Sequence, residues 1–202
     1  MKRIGFIAFS LCLFGLSACA ISEPRPTGGK ATEADSKDNP VVVMETSMGT
    51  IKMELFQNKA PISVANFLKY VDTKHYDGTI FHRVISDFMI QGGGFEPGLK
   101  ERGAKFPKIQ NEAGNGLSNE IGTVAMARTD DPNSATDQFY INVNNNKEKG
   151  LDRSPGRPGY AVFGRVTEGM NVVDQIRKVP TGGKDVPVVD VIIKSIRRVE
   201  TK

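Results

Sequence analysis

Two neighbouring segments near residue 41 carry the hydrophobic pattern of paired β-strands. In Thr50–Leu55 every second residue is apolar, which is typical of a strand with one buried face. Val41–Glu45 precedes it across the turn residues Met48 and Gly49, so the two segments are predicted to form a β-hairpin. Pro61 then stands where a first helical turn begins, and apolar residues at helical spacing follow it. This spacing predicts a helix over residues 61–71.

Further elements follow from the same criteria. The predicted strands are Thr79–Val84, Phe88–Gly92, Gly122–Met126, Gln138–Val143, Ala161–Val166 and Val188–Val199, and the second predicted helix is Met170–Arg177. Eight strands with two helices, and no internal repeat, favour a mainly β domain over residues 41–202. We expect a closed eight-stranded antiparallel β-barrel capped by two α-helices, because closure removes exposed strand edges. Residues 92–121 lack periodicity and form a long loop, of the kind that usually serves function.

The first 18 residues read as a signal peptide. A positively charged start precedes the apolar run Ile4–Leu16, which is too short to span a bilayer comfortably. The run ends in Leu-Ser-Ala-Cys19, which resembles the lipobox of bacterial lipoproteins. The resemblance implies cleavage before Cys19, lipidation of that cysteine and stable attachment by several acyl chains. Ala20 in place of an aspartate implies an outer-membrane location, with the domain outside the cytoplasm.

Two alternatives to the lipoprotein interpretation stay open. Ala18, Cys19 and Ala20 also fit the small-x-small site of ordinary signal peptidase, whose cleavage would leave a soluble periplasmic protein. The other alternative is an uncleaved anchor. Residues 19–40 have little apolar content and are rich in Pro, Gly, Ser and charge. We expect them to form a flexible tether with a reach of roughly 25 Å.

Composition excludes several kinds of chemistry. The two cysteines, Cys12 and Cys19, both precede the domain, so no disulfide or thiol chemistry is expected in it. The two histidines, His75 and His82, cannot complete a tetrahedral zinc site without carboxylates, and we expect no metal and no cofactor. We place His75 on the surface and expect His82 to be buried and hydrogen-bonded. A net charge of +4 without a basic block argues against nucleic acid as a partner. We expect a monomer.

Chemistry-bearing residues are densest in Phe81–Phe95, which reads FHRVISDFMIQGGGF. Strand alternation would place Phe88 and Ile90 on one face and Met89 and Gln91 on the other. A turn at Ser86-Asp87 would bring Arg83 beside them. Three more motifs follow in the chain: GTVAMAR at 122–128, QFYINV at 138–143 and YAVFGRV at 160–166.

These four motifs, in this order, resemble the signatures of the cyclophilins in their bacterial form, over residues 41–199. The resemblance implies a peptidyl-prolyl cis/trans isomerase that acts on unfolded or flexible proline-containing polypeptides. With the leader, it implies a role in the folding of exported proteins. It further implies that Arg83 is the catalytic residue. The substrate-binding residues that it implies are Phe88, Met89, Gln91, Ala127, Arg128, Gln138, Tyr140, Leu151 and Tyr160, with Tyr140 adding a hydroxyl at the pocket floor.

An arginine suits this reaction on physical grounds. The X–Pro amide resists rotation with a barrier of about 18–20 kcal/mol, because its nitrogen shares a lone pair with the carbonyl. At the twisted transition state this sharing is lost, so the nitrogen becomes a better hydrogen-bond acceptor. A permanently charged arginine therefore binds the twisted form more tightly than either planar form.

Two other classes of function compete with catalysis. A binding module, such as a chaperone or an adhesin, would use the same fold with catalysis incidental. An enzyme is favoured by the presence together of Arg83, Phe88, Met89, Gln91 and Gln138, because a pure binder does not need the arginine. A hydrolase is disfavoured, since the sequence has no Gly-x-Ser-x-Gly motif and neither histidine has an evident nucleophile.

Overall fold

The segment Thr50–Leu55, in which apolar and polar residues alternate, forms a strand whose apolar side chains are buried in the core. The computed structural model describes residues 39–199. Ile51 and Met53 are fully buried, whereas Thr50 at the start of the same segment is exposed. The predicted signal peptide, Cys19 and residues 19–38 of the predicted tether lie outside the described residues.

Ten strands, two α-helices and two single-turn 3-10 helices, Pro97–Leu99 and Gly183–Asp185, make up the regular structure of residues 39–199. The strands are β1 Val41–Thr46, β2 Gly49–Leu55, β3 Thr79–Ile85, β4 Met89–Gly92, β5 Phe95–Glu96, β6 Lys100–Glu101, β7 Thr123–Met126, β8 Phe139–Asn142, β9 Val162–Glu168 and β10 Ile192–Arg198. The α-helices are α1 Pro61–Asp72 and α2 Met170–Ile176. Within the described residues, neither helix combines the length and the apolar character that crossing a bilayer requires.

Eight of the strands close into an antiparallel barrel. Their order around the barrel is β1-β10-β3-β4-β8-β7-β9-β2. The remaining two, β5 and β6, form a small hairpin inside the long loop that begins at Gly92. The predicted fold class is therefore confirmed, as are the hairpin at the start of the domain and both helices. The loop itself contains more local structure than its sequence indicated.

Aromatic rings fill the space between α1 and the barrel. Phe67 on α1 lies 5.2 Å from the ring of Phe163 and 5.5 Å from the ring of Phe139, centroid to centroid. All three side chains are fully buried. The apolar face of α1 thus packs against β8 and β9, the two strands that flank β7, and this packing fixes the helix over the core.

The long loop between β4 and β7 is anchored to the first helix. The Phe106 N–H donates to the Tyr70 hydroxyl at 3.2 Å. Arg102 donates to the carbonyls of His75 and Asp77, at 2.7 and 2.9 Å, where the chain leaves α1. These bonds hold the loop against the helix, so its far end arrives at a defined place beside the barrel.

Glu112 in the same loop caps the N-terminus of α1. The position before the helix is Ala60, whose side chain offers no hydrogen-bond acceptor. The Glu112 carboxylate instead accepts from the N–H groups of Ile62 and Ser63, at 3.0 and 2.7 Å, and from the Ser63 hydroxyl at 2.7 Å. A carboxylate at a helix N-terminus satisfies donors that otherwise lack partners and interacts favourably with the helix dipole.

We expect Glu112→Ala to lower the free energy of unfolding by about 2 kcal/mol, because it leaves the first-turn donors of α1 without their charged acceptor. Glu112→Gln should cost less, since one oxygen is kept. Urea denaturation measures both values. Glu148→Ala, at an exposed position, is the control and should change stability little. Equal stability of Glu112→Ala and the parent chain would contradict the capping role.

The sequence interpretation was wrong about His75 and about the start of the last strand. His75 is not on the surface: it is fully buried, and its Nε2 lies 2.9 Å from the Asp137 carboxylate. The chain folds back under the helix after α1, with the His75 N–H donating to the Tyr70 carbonyl, which turns the ring inward. The last strand begins at Ile192 rather than at Val188, which is 69% exposed in the preceding loop.

Candidate active site

Strand pairing places an arginine and an amide side by side on the barrel wall. Arg83 on β3 pairs with Gln91 on β4, across the turn that joins these two strands. Gln91 in turn pairs with Tyr140 on β8. Since paired residues of neighbouring strands point to the same face of a sheet, the three side chains form one row across the barrel surface.

This row borders a small pocket. Nine side chains line it: Arg83, Phe88, Met89, Gln91, Ala127, Arg128, Tyr140, Leu151 and Tyr160. Its volume is about 100 Å³. That is well below the roughly 300–1,000 Å³ of pockets for drug-sized ligands, so the pocket suits a single small ring. The structure thus brings together the candidate residues inferred from the sequence, with one exception among the described residues.

The exception is Gln138, which lines an adjoining cavity rather than the pocket itself. The cavity has a volume of about 140 Å³ and shares Gln91, Ala127 and Arg128 with the pocket. The Gln91 amide donates to the Gln138 amide oxygen at 2.9 Å, which links the two spaces. Ala127, which follows β7, donates its N–H to the Gln138 carbonyl at 3.0 Å. The segment at Ala127 therefore runs along the edge of both spaces.

The predicted alternation fails at Phe88. Its side chain packs with Met89 and the pocket residues, while Ile90 is fully buried in the barrel core. Phe88 lies before β4, in a turn closed by its N–H and the Ile85 carbonyl at 3.0 Å. The strand pleat therefore does not determine the direction of its side chain. Both Phe88 and Met89 consequently face the pocket.

Arg83 and Arg128 both border the pocket, but their guanidinium groups differ in hydrogen bonding. The Arg128 Nε and Nη2 donate to the Gly159 carbonyl, and Nη1 donates to the Thr129 carbonyl. Its guanidinium also stacks 4.2 Å from the centre of the Tyr160 ring. Arg83 has one polar partner among residues 39–199, an Asp185 carboxylate oxygen 3.4 Å from its Nε. Its terminal nitrogens therefore keep their donor capacity for a ligand.

Asn119 is a site residue that the sequence interpretation missed. Its fully buried amide oxygen accepts from the Tyr140 hydroxyl at 2.8 Å. Its amide nitrogen donates to the carbonyls of Leu151 and Tyr160, each at 3.3 Å, and to the Asp152 carboxylate at 2.9 Å. One side chain thus holds three walls of the pocket. No periodicity or motif marks Asn119 in the sequence.

The Tyr140 hydroxyl, which the sequence placed at the pocket floor, is therefore hydrogen-bonded within the pocket wall. Its ring contributes to the pocket, while the hydroxyl is directed to Asn119. Burial raises the pKa of the Tyr140 hydroxyl well above its ordinary value. The group therefore stays protonated and acts as a hydrogen-bond donor within the pocket wall.

His82 lies next to Arg83 in the chain but is nearly buried, with 9% of its surface exposed. Its ring packs 4.5 Å from the ring of Phe95. Its burial is as predicted, whereas its Nδ1 has no hydrogen-bond partner among the described residues. Burial lowers the pKa of His82 to about 4, and the neighbouring Arg83 charge adds to this effect. The imidazole is therefore neutral at physiological pH.

A lowered histidine pKa makes stability depend on pH. The unfolded chain binds a proton at His82 below about pH 6.5, whereas the folded chain does so only near pH 4, so stability is lost as the pH falls through this window. We expect the free energy of unfolding to drop by about 2 kcal/mol between pH 7.5 and pH 5 from this group alone. His82→Gln should flatten the dependence by that amount in urea titrations. Parallel curves for both proteins would exclude the effect.

The described residues contain no cluster of three or more histidine, cysteine, aspartate or glutamate side chains arranged to hold a metal ion. The pocket combines an apolar recess with the Arg83 guanidinium, whose terminal nitrogens have no partner among the described residues, and with the Gln91 amide on the neighbouring strand. Such a site can grip a small ring and donate hydrogen bonds beside it.

Comparison with known proteins agrees with this geometry. The family model "Cyclophilin type peptidyl-prolyl cis-trans isomerase/CLD" matches residues 41–198. A peptidyl-prolyl cis-trans isomerase of Streptomyces antibioticus is 56% identical over 161 residues, which are 77% of this chain and 96% of the relative. Peptidyl-prolyl cis-trans isomerase B of Escherichia coli is 52% identical over 161 residues, covering 77% of this chain and 98% of the relative.

Solved structures give the same result for the fold. Two crystal structures of a cyclophilin type peptidyl-prolyl cis-trans isomerase from Cryptosporidium parvum superpose with TM-scores of 0.66 and 0.68, at 25% and 26% identity. They cover 81% and 80% of this chain, and 99% of the solved chain in each case. The second was determined in the presence of the dipeptide Ala-Pro.

Proposed function

Because the chain belongs to the cyclophilin family and is a peptidyl-prolyl cis/trans isomerase, we propose that Arg83 is its catalytic residue and that the pocket beside it binds the substrate proline. The observation that carries the proposal is that Arg83, at the mouth of a ring-sized apolar pocket, has terminal nitrogens with no hydrogen-bond partner among residues 39–199. Arg128, the other arginine there, is occupied by backbone carbonyls.

The mechanism follows from differential binding of the twisted amide. Phe88, Met89 and Leu151 grip the pyrrolidine ring through apolar contact. The guanidinium of Arg83 donates to the proline nitrogen, which accepts a hydrogen bond only when the amide is twisted out of plane. The interaction is therefore stronger in the transition state than in either planar isomer, which is the condition for catalysis. No proton transfer or covalent intermediate is involved.

The polar side of the site holds the chain that precedes the proline. Gln91 and Gln138 form a hydrogen-bonded pair beside Arg83, and the backbone at Ala127 and Arg128 runs along the same edge. With the ring fixed at one end and the peptide held along this edge, rotation is confined to the X–Pro bond. The dipeptide Ala-Pro used with the Cryptosporidium relative supports this class of ligand.

A proline-switch assay on a short Ala-Pro peptide tests the role of the site. The chain should accelerate isomerisation far above the solvent rate, and titration with the peptide should perturb NMR signals of Phe88, Met89 and Leu151. An acceleration that survives removal of the Arg83 side chain would overturn the assignment of the catalytic residue. Peptide-induced shifts confined to another face of the barrel would overturn the assignment of the pocket.

For the location of the enzyme, we propose that the chain is a lipoprotein attached through Cys19 and that its clients are exported proteins folding outside the cytoplasm. The Leu-Ser-Ala-Cys sequence before a polar segment supports lipid attachment. A tether of about 20 residues would let the domain reach roughly 25 Å from the membrane surface. Prolyl isomerisation takes tens to hundreds of seconds uncatalysed, so folding chains benefit from an isomerase wherever they emerge.

Metabolic labelling with a palmitate analogue in a bacterial host tests the attachment. The parent chain and the Cys12→Ala variant should both incorporate the label and fractionate with the outer membrane. Cys19→Ala should lose the label and leave the membrane fraction. A parent chain that is processed but unlabelled would instead support ordinary cleavage and a soluble periplasmic enzyme.

A further inference from the structure

Asp185 is the one polar partner of Arg83 in the part of the chain that the structure describes. Its carboxylate oxygen Oδ2 lies 3.4 Å from the Arg83 Nε, and both side chains are about half exposed, at 46% and 43%. The two residues are 102 positions apart in the sequence. The contact therefore exists only because the loop between α2 and β10 returns to the mouth of the pocket.

The geometry of the contact matters because of which nitrogen it uses. A guanidinium is a rigid planar fork with five N–H donors, carried on a long side chain that loses considerable rotamer entropy when it is held in one orientation. A bond at Nε fixes the plane of the fork and leaves both terminal nitrogens available. Asp185 thus restrains the orientation of Arg83 while keeping the donors that a substrate would use.

The loop that carries Asp185 is held in an unfavourable conformation. Lys184 and Asp185 are consecutive non-glycine residues with φ of +59° and +62°, in the left-handed region that such residues rarely adopt. The loop is closed beneath them by a bridge between Thr181 and Pro187 and by the Gly182 N–H donating to the Val186 carbonyl at 2.8 Å. Strain of this kind persists only where surrounding structure imposes it, and it is concentrated at functional sites.

We propose that Asp185 is a positioning residue for Arg83, presented by the strained tip of the loop at residues 181–187 so that the guanidinium faces the proline pocket. The proposal rests on the proposed role of Arg83 and deepens it. Asp185 does not touch the substrate; it acts by reducing the orientations that Arg83 samples before the amide twists. Its effect should therefore fall on kcat rather than on KM.

Four variants separate the contact from the loop conformation. Asp185→Ala removes both the acceptor and a residue that tolerates positive φ. Asp185→Gly removes the acceptor but relieves the backbone strain. Asp185→Asn keeps an oxygen at the same position and a side chain suited to the left-handed region. Asp72→Ala, which breaks the similarly exposed pair between Asp72 and Arg198, is the matched control.

We expect Asp185→Ala and Asp185→Gly each to lower kcat by about two- to fivefold, the range for a half-exposed ion pair, with KM unchanged. Asp185→Asn should recover most of the loss, and Asp72→Ala should show none. In the Arg83→Ala background, assayed at raised enzyme concentration, Asp185→Ala should have no additional effect.

Three results would overturn the positioning role: kcat equal to the parent in all three Asp185 variants, a rise in kcat on loss of the carboxylate, or an unchanged effect of Asp185→Ala when Arg83 is absent. The second result would mean that Asp185 restrains the arginine away from the substrate. If Arg83→Ala itself leaves the rate unchanged, it is the proposed function of Arg83 that fails, so the two failures are distinguishable.

Discussion

We expect Arg83→Ala to lower kcat/KM for X–Pro isomerisation by about two to three orders of magnitude, the usual cost of removing one preorganised donor from a transition state. The loss should fall on kcat, because in the proposed mechanism the guanidinium donates to a nitrogen that accepts a hydrogen bond only when the amide is twisted. KM should change little, since the apolar pocket proposed to bind the planar proline stays intact.

Arg83→Lys and Arg198→Ala make this prediction specific. Lysine keeps the positive charge but replaces the planar fork with a flexible ammonium group, so it should recover only part of the rate. Full recovery would show that positive charge alone is sufficient and that the hydrogen-bond geometry of the guanidinium is not required. Arg198→Ala removes an arginine of similar exposure, 46% against 43%, from a carboxylate pair elsewhere on the barrel. It should leave the rate at the parent value.

Arg83→Ala should fold normally, which lets lost activity be attributed to chemistry. The side chain is 43% exposed and its single ion pair, with Asp185, spans 3.4 Å. Half-exposed pairs of this kind contribute little to stability, at most about 1 kcal/mol. Urea denaturation of the variant checks this point. A large loss of stability would mean that the pair supports the barrel itself.

The sequence predicted most of the barrel, because the strands depend on a local pattern. Apolar residues alternate with polar ones where one face of a strand is buried, so β2 and its partner strands can be predicted from the sequence. The same rule failed at Phe88 and at Val188, which lie in irregular backbone before a strand begins. There the direction of a side chain depends on the turn, and alternation carries no information.

The contacts that complete the site depend instead on residues far apart in the chain. Asn119 meets Tyr140 across 21 positions, Glu112 reaches Ser63 across 49, and Asp185 reaches Arg83 across 102. Each comes from a loop, where polar residues are common and have no periodicity. Only the folded backbone determines which of many loop carboxylates and amides meets a partner, so a single sequence does not reveal them.

We expect Asn119→Ala to produce the second large effect, on stability and on substrate binding together. Removal of the amide leaves the buried Tyr140 hydroxyl without its acceptor and the Leu151 and Tyr160 carbonyls without a shared donor. Unsatisfied buried polar groups cost about 1–3 kcal/mol each, so we expect a loss of about 3 kcal/mol in the free energy of unfolding. Asn58→Ala, at an exposed position in the turn before α1, should cost little.

The kinetic signature of Asn119→Ala should differ from that of Arg83→Ala. In the proposed mechanism, the pocket walls that Asn119 holds contact the proline ring in the planar and twisted states alike. Their loosening should therefore raise KM by about tenfold and change kcat less, as expected for an interaction made equally in both states. A loss confined to kcat would place Asn119 in transition-state stabilisation and contradict its role as a support of the walls.

Moving the carboxylate from position 152 to position 119 tests the hydrogen-bond directions in this network. Asn119→Asp keeps the acceptor for Tyr140 but places a second carboxylate where the amide now donates, at 2.9 Å, to Asp152. It should destabilise the domain at least as much as Asn119→Ala, because two like charges then share a largely buried site.

Adding Asp152→Asn to Asn119→Asp restores a donor opposite an acceptor and should recover part of the stability. The recovery should be incomplete, since the Leu151 and Tyr160 carbonyls would still face an oxygen instead of a donor. If the double variant is as unstable as Asn119→Asp alone, the pairing of Asn119 with Asp152 does not govern this wall.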